Sequence, residues 1–460
     1  MEQIRAVYFI GAGGIGQSAL ARYFMAQGLV VAGYDKTPST LTHQLEVEGM
    51  IIHYEDNVDL IPMECRKSDT CLVVYTPAIP ADHSELNYFR NNGFQVVKRA
   101  QALGTVTRRH KALCVAGTHG KTTTSTMCAH IMHCSKADCN AFLGGISKNY
   151  GTNYLLAKDS EWAVVEADEY DRSFHQLTPY ITVITATDPD HLDIYGTKEA
   201  YLESFAHYTE LIIPGGALII HRGLEMHERL ADGVRRFDYS LEEGDFHAEN
   251  VRIGDGRIVF DFISPVECVQ NVELGQPVPI NVENAVAAMA MAQLAGATAE
   301  ELRVGMLTFA GVDRRFDFQI RTDKLVFLSD YAHHPKEVMA SARSLRQLYE
   351  GRRITAIFQP HLYTRTRDFY PDFAEALSLL DEVLLTEIYP AREEPIEGVT
   401  SQLIYDRLRP GIAKEMISKA DVADIVRQRD FDVLVVLGAG DLDAMVPELK
   451  RILTDKMNQK

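Results

Sequence analysis

The feature that most constrains this chain is the stretch 112–127, ALCVAGTHGKTTTSTM. It reads as a short buried strand at Leu113, Cys114 and Val115, then a turn of Gly117, Thr118, His119 and Gly120. Lys121 and a run of hydroxyl residues, Thr122 and Thr123 first, then open a helix. This is the layout of a phosphate-binding loop: backbone N–H groups of the turn and of the helix N-terminus face an anion, and the lysine adds a point charge. Thr122, directly after the lysine, stands where such loops place a hydroxyl on Mg²⁺. The Walker spacing is incomplete, because the position five before Gly120 is Val115 and not glycine. A solvated strand-to-helix turn is the alternative, but packing alone does not explain Gly-Lys-Thr-Thr after an apolar strand. The stretch is read as binding a nucleotide phosphate.

A chain of 460 residues suggests about three domains at ~150 residues each. Its net charge of −18 argues against nonspecific nucleic-acid binding and requires local cation clusters for any anionic substrate. No apolar run approaches the ~20 residues of a membrane span, and a strand begins too early to leave room for a signal peptide. The seven cysteines contain no CxxC pair and read as reduced, mostly packed thiols. These features predict a cytoplasmic, multi-domain enzyme with no nucleic-acid or membrane partner.

The first domain, residues 1–105, opens with an apolar strand at Ala6–Ile10, the turn GAGGIG (11–16) and a helix over 17–27. Gly11, Gly13 and Gly16 fit the dinucleotide fingerprint, which needs a tight turn, close approach of a pyrophosphate and close helix–strand packing. Asp35, at the end of a second strand over 29–33, falls where that fingerprint expects an acid on a ribose hydroxyl. On this turn alone the expected ligand is NAD, although any diphosphate nucleotide uses the same geometry. Further strands are expected over 70–75, running into Thr76, Pro77 and Ala78, and over 93–98.

The central domain, 106–313, alternates helix and strand around the phosphate loop, as a doubly wound sheet does. A strand over 162–165 runs into Glu166-Ala167-Asp168-Glu169-Tyr170-Asp171, and one over 181–186 into Asp188-Pro189-Asp190-His191-Leu192-Asp193. Carboxylates at successive strand tips beside a phosphate loop suit Mg²⁺. Asn281 and Asn284 begin a small-residue helix, either as caps or as readers of a base edge. The last domain, 314–460, repeats the α/β pattern with strands at 325–328, Ile354–Phe358, Glu382–Leu385 and Val433–Leu437. Its loops carry Arg314-Arg315, Ser329-Asp330-Tyr331-Ala332-His333-His334-Pro335, and Gln359-Pro360-His361 with Thr364-Arg365-Thr366-Arg367. Such clusters suggest carboxylate or phosphate recognition. There is no zinc signature.

Over essentially its whole length the chain resembles the Mur ligase family, and within it the alanine-adding branch. The resemblance rests on GAGGIG, AGTHGKTTT (116–124), EADE (166–169), DPDHLD (188–193), GVDRRFD (311–317), DYAHHP (330–335), FQPHLYTRT (358–366), EIYPAREEPI (387–396) and GAGD (438–441). It implies an α/β enzyme of three domains: an N-terminal Rossmann-like UDP-binding domain, a central ATPase with a mostly parallel sheet, and a C-terminal Rossmann-like domain. It replaces NAD by a UDP diphosphate on the first glycine turn, with Gly13, Gly14 and Ile15 nearest. ATP would phosphorylate the carboxylate of UDP-N-acetylmuramate, and the amine of L-alanine would attack the acyl phosphate. Lys121 would neutralise the γ-phosphate, Thr122 and Glu166 would hold one Mg²⁺, and His191 resembles the ligand of a second metal. Arg315 and Asp330 resemble phosphate and ribose contacts to ATP, Asn281 and Asn284 adenine contacts, and His333 and Arg365 contacts to the amino-acid carboxylate. Domain closure is implied, because these groups come from separate domains.

Three departures or absences bear on the branch. Ile280 stands where the family often has histidine, and Leu362 where some alanine-adding members carry another arginine. Phe205-Ala206-His207 lacks the lysine that sibling ligases place past the metal histidine. The nearest rival is the ligase that recycles a whole tripeptide onto UDP-N-acetylmuramate, whose acidic motif also continues as EADEYD. More distant alternatives are an NAD-dependent oxidoreductase and a nucleotide-switched binding protein. Monomer and homodimer are both compatible with the sequence.

Overall fold

The structure, a computed structural model, describes residues 4–76, 78–190, 192–254, 257–391 and 393–459. It is a mixed α/β protein with three mostly parallel sheets. The first is built from β1 (Ala6–Ile10), β2 (Val30–Tyr34), β3 (Ile51–His53), β4 (Cys71–Tyr75) and β5 (Gln95–Lys98), in the order β3-β2-β1-β4-β5. All five residues of β1 are apolar and buried, as a central strand covered on both faces requires. Ala6 pairs with Val30 on one side and Cys71 on the other, both in parallel register. The strand order therefore reverses at β1, and the crevice at its carboxyl end is where α/β sheets take ligands.

The central sheet contains β6 (Lys111–Ala116), β7 (Asn140–Ser147), β8 (Thr152–Leu155), β9 (Trp162–Glu166), β10 (Pro179–Ile184), β11 (Ala217–His221) and β12 (Arg235–Tyr239). Its order is β12-β11-β10-β6-β9-β7-β8, with only β8 antiparallel to its neighbour. A small sheet of β13 (His247–Gly254), β14 (Arg257–Ile263) and β15 (Cys268–Glu273) follows. The last sheet holds β16 (Asp317–Arg321), β17 (Val326–Asp330), β18 (Ile354–Phe358), β19 (Glu382–Leu385), β20 (Ala413–Met416) and β21 (Val433–Leu437), in the order β16-β17-β21-β18-β19-β20. Only β16 runs antiparallel to its partner. Residue 105 lies inside the helix Arg99–Thr107, which is followed by β6.

The described residues divide into two compact units, one of Met1–Val251, Val259–Gln276 and Val282–Ala310, the other of Arg252–Ile258, Pro277–Asn281 and Gly311–Lys460. Within the first unit the N-terminal and central sheets share one apolar core, where Leu20 and Phe24 join Phe142 and Phe174. Arg22, 8% exposed, fastens them: its guanidinium donates to Asn153 Oδ1 at 2.7 Å and to the Glu48 carboxylate at 2.7 and 2.8 Å. Asn153 in turn donates to the Ile15 carbonyl at 2.5 Å. A buried arginine so paired is costly to disconnect, because an uncompensated charge would remain. The helix that follows the first glycine turn, Ile15–Ala26, is thereby tied to the central sheet.

Candidate active site

The first glycine turn is closed by backbone bonds from Gly11 and Ala12 to the Tyr34 carbonyl, at 2.8 and 3.0 Å. Gly11 has φ +88°, and a Cβ there would meet Thr76 Cγ2 at 2.8 Å. Asp35 does not stand free at the end of β2: its Oδ2 accepts the Gly13 N–H at 2.7 Å, so the acid braces the turn itself. Gly14, Ile15, Gly16 and Thr76 line one cavity of about 300 Å³ together with Arg99 and Glu166. Ala78 is exposed and does not line it.

The phosphate loop follows β6, the strand between β9 and β10. Gly117 has φ +130° and Gly120 φ +79°, backbone that side chains rarely adopt. A Cβ on Gly117 would lie 2.3 Å from Thr185 Oγ1, and one on Gly120 would lie 2.9 Å from Asn284 Oδ1. The loop is pinned from the end of β10: Thr118 N–H bonds the Ala186 carbonyl at 3.0 Å, Thr118 Oγ1 the Asp188 carbonyl at 2.7 Å, and Thr185 Oγ1 the His119 carbonyl. The strand expected to reach residue 186 stops at Ile184, because Thr185 and Ala186 are bonded to the loop. His119 Nε2 is 3.8 Å from Asp188 Oδ2. Lys121 and Thr122 start the helix Lys121–Cys134, with Thr123 next.

Lys121 Nζ donates to the Gly117 carbonyl at 2.6 Å and to Glu169 Oε1 at 2.9 Å. Burial opposes its charge, but Glu169, Glu166 and Asp168 outweigh that and raise its pKa above the usual lysine value. Glu166 ends β9 and lies against Gly144, where a Cβ would stand 2.2 Å from Glu166 Oε2. Gly144 is thus a cradle for this carboxylate. Arg99 Nη2 donates to Asp168 Oδ2 at 3.1 Å, beside Gly16, whose Cβ would meet Arg99 Nη1 at 2.8 Å.

A hydroxyl on the phosphate loop and carboxylates at the neighbouring strand tip are hard oxygen donors suited to Mg²⁺. No three His, Cys, Asp or Glu side chains among the described residues are grouped to hold an ion unaided. His191, expected as a second-metal ligand, lies outside the described residues.

Asn281 and Asn284 fall in the first two turns of the helix Ile280–Leu294. Thr124 Oγ1 donates to Asn284 Oδ1 at 3.3 Å, which puts Asn284 at the phosphate loop. Asn281 is buried, and its N–H bonds the Val278 carbonyl at 2.8 Å.

In the second unit, Asp330 ends β17, and its carboxylate accepts the Phe316 N–H at 3.1 Å and the Ser341 hydroxyl. Burial pushes the Asp330 carboxyl above its ordinary range against those bonds and the nearby Arg315. The turn it holds contains Arg314 and Phe316 at φ +64° and +43°, flanking Arg315, whose guanidinium lies 5.1 Å from the Tyr331 ring centre. His333 Nδ1 donates to the Tyr331 carbonyl at 2.9 Å. Burial lowers its pKa, Glu337 opposes this, and Arg365 and Arg315 add to it. Arg365 Nη1 is buried and makes no hydrogen bond among the described residues, a donor of the kind that a carboxylate would satisfy.

Sequence reasoning missed Arg99, Gly144 and Thr185. Arg99 follows directly on a strand end, and Gly144 belongs to a Gly-Gly pair inside an extended segment, a sign of close approach. Thr185 carried no comparable signal.

Family models match in sequence order: the Mur ligase catalytic domain over 6–111, the Mur ligase middle domain over 115–292 and the glutamate ligase domain over 314–440. The UDP-N-acetylmuramate–L-alanine ligase of Phocaeicola vulgatus is 63% identical over 99% of this chain and 100% of its own length. The enzyme of that name from Parabacteroides distasonis is 55% identical over 100% and 99%. The crystal structure of UDP-N-acetylmuramate–alanine ligase from Thermotoga maritima superposes with a TM-score of 0.81 at 25% identity, covering 99% of this chain and 100% of that one. These matches favour neither the oxidoreductase nor the tripeptide-recycling reading, and the bond from Gly13 to Asp35 leaves the ribose-reading acid of the former already engaged. The chain belongs to the Mur ligase family.

Proposed function

We propose that this enzyme joins L-alanine to the lactyl carboxylate of UDP-N-acetylmuramate at the expense of ATP, in the cytoplasm and as a monomer or homodimer, for peptidoglycan precursor synthesis. The observation that carries this reading is the single cavity onto which the first glycine turn, Arg99 and Glu166 all open. A substrate whose diphosphate rests on Gly14–Gly16 directs its other end toward the carboxylates beside the phosphate loop. In this reading residues 1–105 hold the UDP substrate through Gly11, Gly13, Gly14, Ile15, Gly16 and Thr76, with Asp35 bracing the turn. Residues 106–313 hold ATP through the loop 117–123 and Asn284. Residues 314–460 supply His333 and Arg365 for the amino acid and Arg315 and Asp330 for the nucleotide, and Asn281 adds an adenine contact.

The chemistry explains the residue types. A carboxylate oxygen attacks the γ-phosphorus, the bond to the bridging oxygen breaks, and ADP leaves. The amine of L-alanine, having lost its proton, then attacks the acyl carbon, and the tetrahedral adduct expels phosphate to leave the amide. Two anions must meet in the first step, so cations matter more than a base. Lys121 supplies one positive charge, and Thr122 and Glu166 would hold a Mg²⁺ that supplies more, with His191 a further candidate ligand.

The test is phosphate release from ATP in the presence of UDP-N-acetylmuramate, with L-alanine or the murein tripeptide added separately. Release that requires L-alanine is expected. Release only with the tripeptide transfers the assignment to recycling, and release with neither overturns the ligase reading.

A further inference from the structure

The motif EIYPAREEPI is unused by the roles assigned above, yet its segment is clasped to the one that carries Arg365. The Tyr389 N–H bonds the Pro360 carbonyl at 2.8 Å, and the Leu362 N–H bonds the Tyr389 carbonyl at 3.0 Å. The His361 and Tyr389 rings stack, 5.8 Å apart and 21° from parallel. Leu362 precedes the helix Tyr363–Leu377 at φ +72°, ψ +136° and offers no side-chain cap to it. A branched residue there is strained and persists only where its surroundings over-determine it.

Glu393 does the capping in its place. Its Oε2 accepts the Thr364 N–H at 3.0 Å, and its Oε1 accepts the Thr364 hydroxyl at 2.5 Å. Both carboxylate oxygens are committed to the residue immediately before Arg365. The Glu393 N–H bonds the Pro390 carbonyl at 2.9 Å, so the acid sits on its own closed turn rather than on a free loop. Besides the Leu362 carbonyl, which accepts the Thr366 N–H at 3.1 Å, the first turn of the helix is therefore held by a carboxylate from beyond its own C-terminus, Leu377, and by no side chain at its own N-cap.

We propose that Glu393 is a positioning residue of the amino-acid site: by fixing the first helical turn it sets where the Arg365 guanidinium meets the substrate carboxylate. This rests on the assignment of Arg365 to that carboxylate. An off-position guanidinium loses the two-pronged geometry that makes arginine selective for carboxylates. Loss of Glu393 therefore acts on the amino acid and leaves the other two substrates alone.

The experiment is steady-state kinetics on the full-length enzyme, with each substrate varied in turn, for Glu393→Ala, Glu393→Gln, Thr364→Val and Arg365→Ala. A helix cap is worth about 1 kcal/mol, so Glu393→Ala is expected to raise the L-alanine KM about five- to tenfold. The KM values for ATP and UDP-N-acetylmuramate should stay within about twofold on the same scale. Glu393→Gln keeps an oxygen for the Thr364 N–H and restores most of the loss. Thr364→Val, which removes only the hydroxyl donor, falls between wild type and Glu393→Ala and keeps the idea testable if the alanine variant does not fold. A rise in all three KM values together, or an unchanged L-alanine KM in both Glu393→Ala and Thr364→Val, overturns the positioning role. If Arg365→Ala also leaves the L-alanine KM unchanged, the carboxylate assignment falls with it; if Arg365→Ala raises it, only the positioning role falls.

Discussion

Lys121 Nζ lies 2.8 Å from Glu169 Oε2, with the side chains 14% and 2% exposed. The phosphate-loop lysine and this acid are therefore a buried pair. Removing one partner of such a pair leaves an uncompensated charge and costs about 3–5 kcal/mol. Lys121→Ala is accordingly expected to lower unfolding stability as well as to abolish phosphate release. Adding Glu169→Gln to it should recover most of the stability and none of the activity. Urea denaturation of the two single variants and the double variant, alongside the activity assay, checks this. If Lys121→Ala alone is as stable as wild type, the pair is not the buried unit described.

Gly144 offers a sharper test of the Glu166 site. A Cβ at Gly144 would stand 2.2 Å from Glu166 Oε2 and 2.5 Å from Oε1, so Gly144→Ala must push the carboxylate away from its present place. A displacement of about 1 Å in a reacting constellation costs on the order of 10²-fold. The expected outcome is a fall in kcat of about that size, with the KM for L-alanine unchanged and the fold intact by circular dichroism. A Gly144→Ala enzyme with wild-type kcat would remove Glu166 from the metal site.

Much of this was legible because local chemistry and global fold agree. The apolar strand Ala6–Ile10 is found with those ends, as are Ile354–Phe358, Glu382–Leu385 and Val433–Leu437: mostly apolar runs bounded by turns are what buried parallel strands look like. The phosphate loop was legible because only a few residue types tolerate its backbone, and Gly117 and Gly120 have the positive φ that it needs. The partners were not legible. Glu169 stood in a run of four carboxylates, and no spacing rule says which one faces Lys121. Asp35 looked like a ribose acid because its position along the chain fits, whereas its bond to Gly13 depends on how β2 lies beside β1. Arg99, Gly144 and Glu393 act on residues far away in sequence, and one sequence carries no record of such contacts.

His333 and Arg365 differ in charge state, and that difference is measurable. Burial holds the His333 pKa below the ordinary imidazole range, so near pH 7 the ring is neutral, and of the two groups proposed above to meet the substrate carboxylate Arg365 is the one that carries a charge. Losing a neutral hydrogen bond costs about 0.5–1.5 kcal/mol, and losing one to a charged group about 1.5–3. His333→Gln should therefore raise the L-alanine KM less than tenfold on that scale, and Arg365→Ala more than tenfold. Because the pKa is lowered, the ring takes a proton only below the usual histidine range. The wild-type L-alanine KM should show no histidine titration between about pH 7 and 8. A titration there that His333→Gln removes would contradict the buried neutral ring.

Two buried groups outside the candidate site give the stability of the first unit a concealed pH dependence. His130 is 4% exposed and bonds the Tyr150 hydroxyl at 2.6 Å and Thr308 Oγ1 at 2.9 Å. Burial, with help from His133, lowers its pKa from 6.5 to about 4. Glu85 is fully buried, with the Tyr8 hydroxyl at 2.7 Å and the Asn57 N–H at 3.1 Å. Burial raises its pKa from 4.5 to about 7 against those bonds. As pH falls from 6.5 toward 4, unfolded His130 binds a proton that the folded ring refuses, so its contribution is lost on acidification. As pH rises from 4.5 toward 7, unfolded Glu85 releases a proton that the folded carboxyl keeps, so its contribution is lost on alkalisation. Between pH 4.5 and 6.5 the two slopes oppose each other, each limited to about 1.4 kcal/mol per pH unit. Glu85→Gln imitates the protonated acid: its amide can donate to the Tyr8 oxygen while Tyr8 donates to His53 Nε2, 2.7 Å away. That variant should unmask a stability that climbs with pH across this window, and His130→Gln one that declines. Urea midpoints at pH 4.5, 5.5 and 6.5 read the slopes directly, and two variants that both keep the wild-type profile would show that neither group titrates as its burial requires.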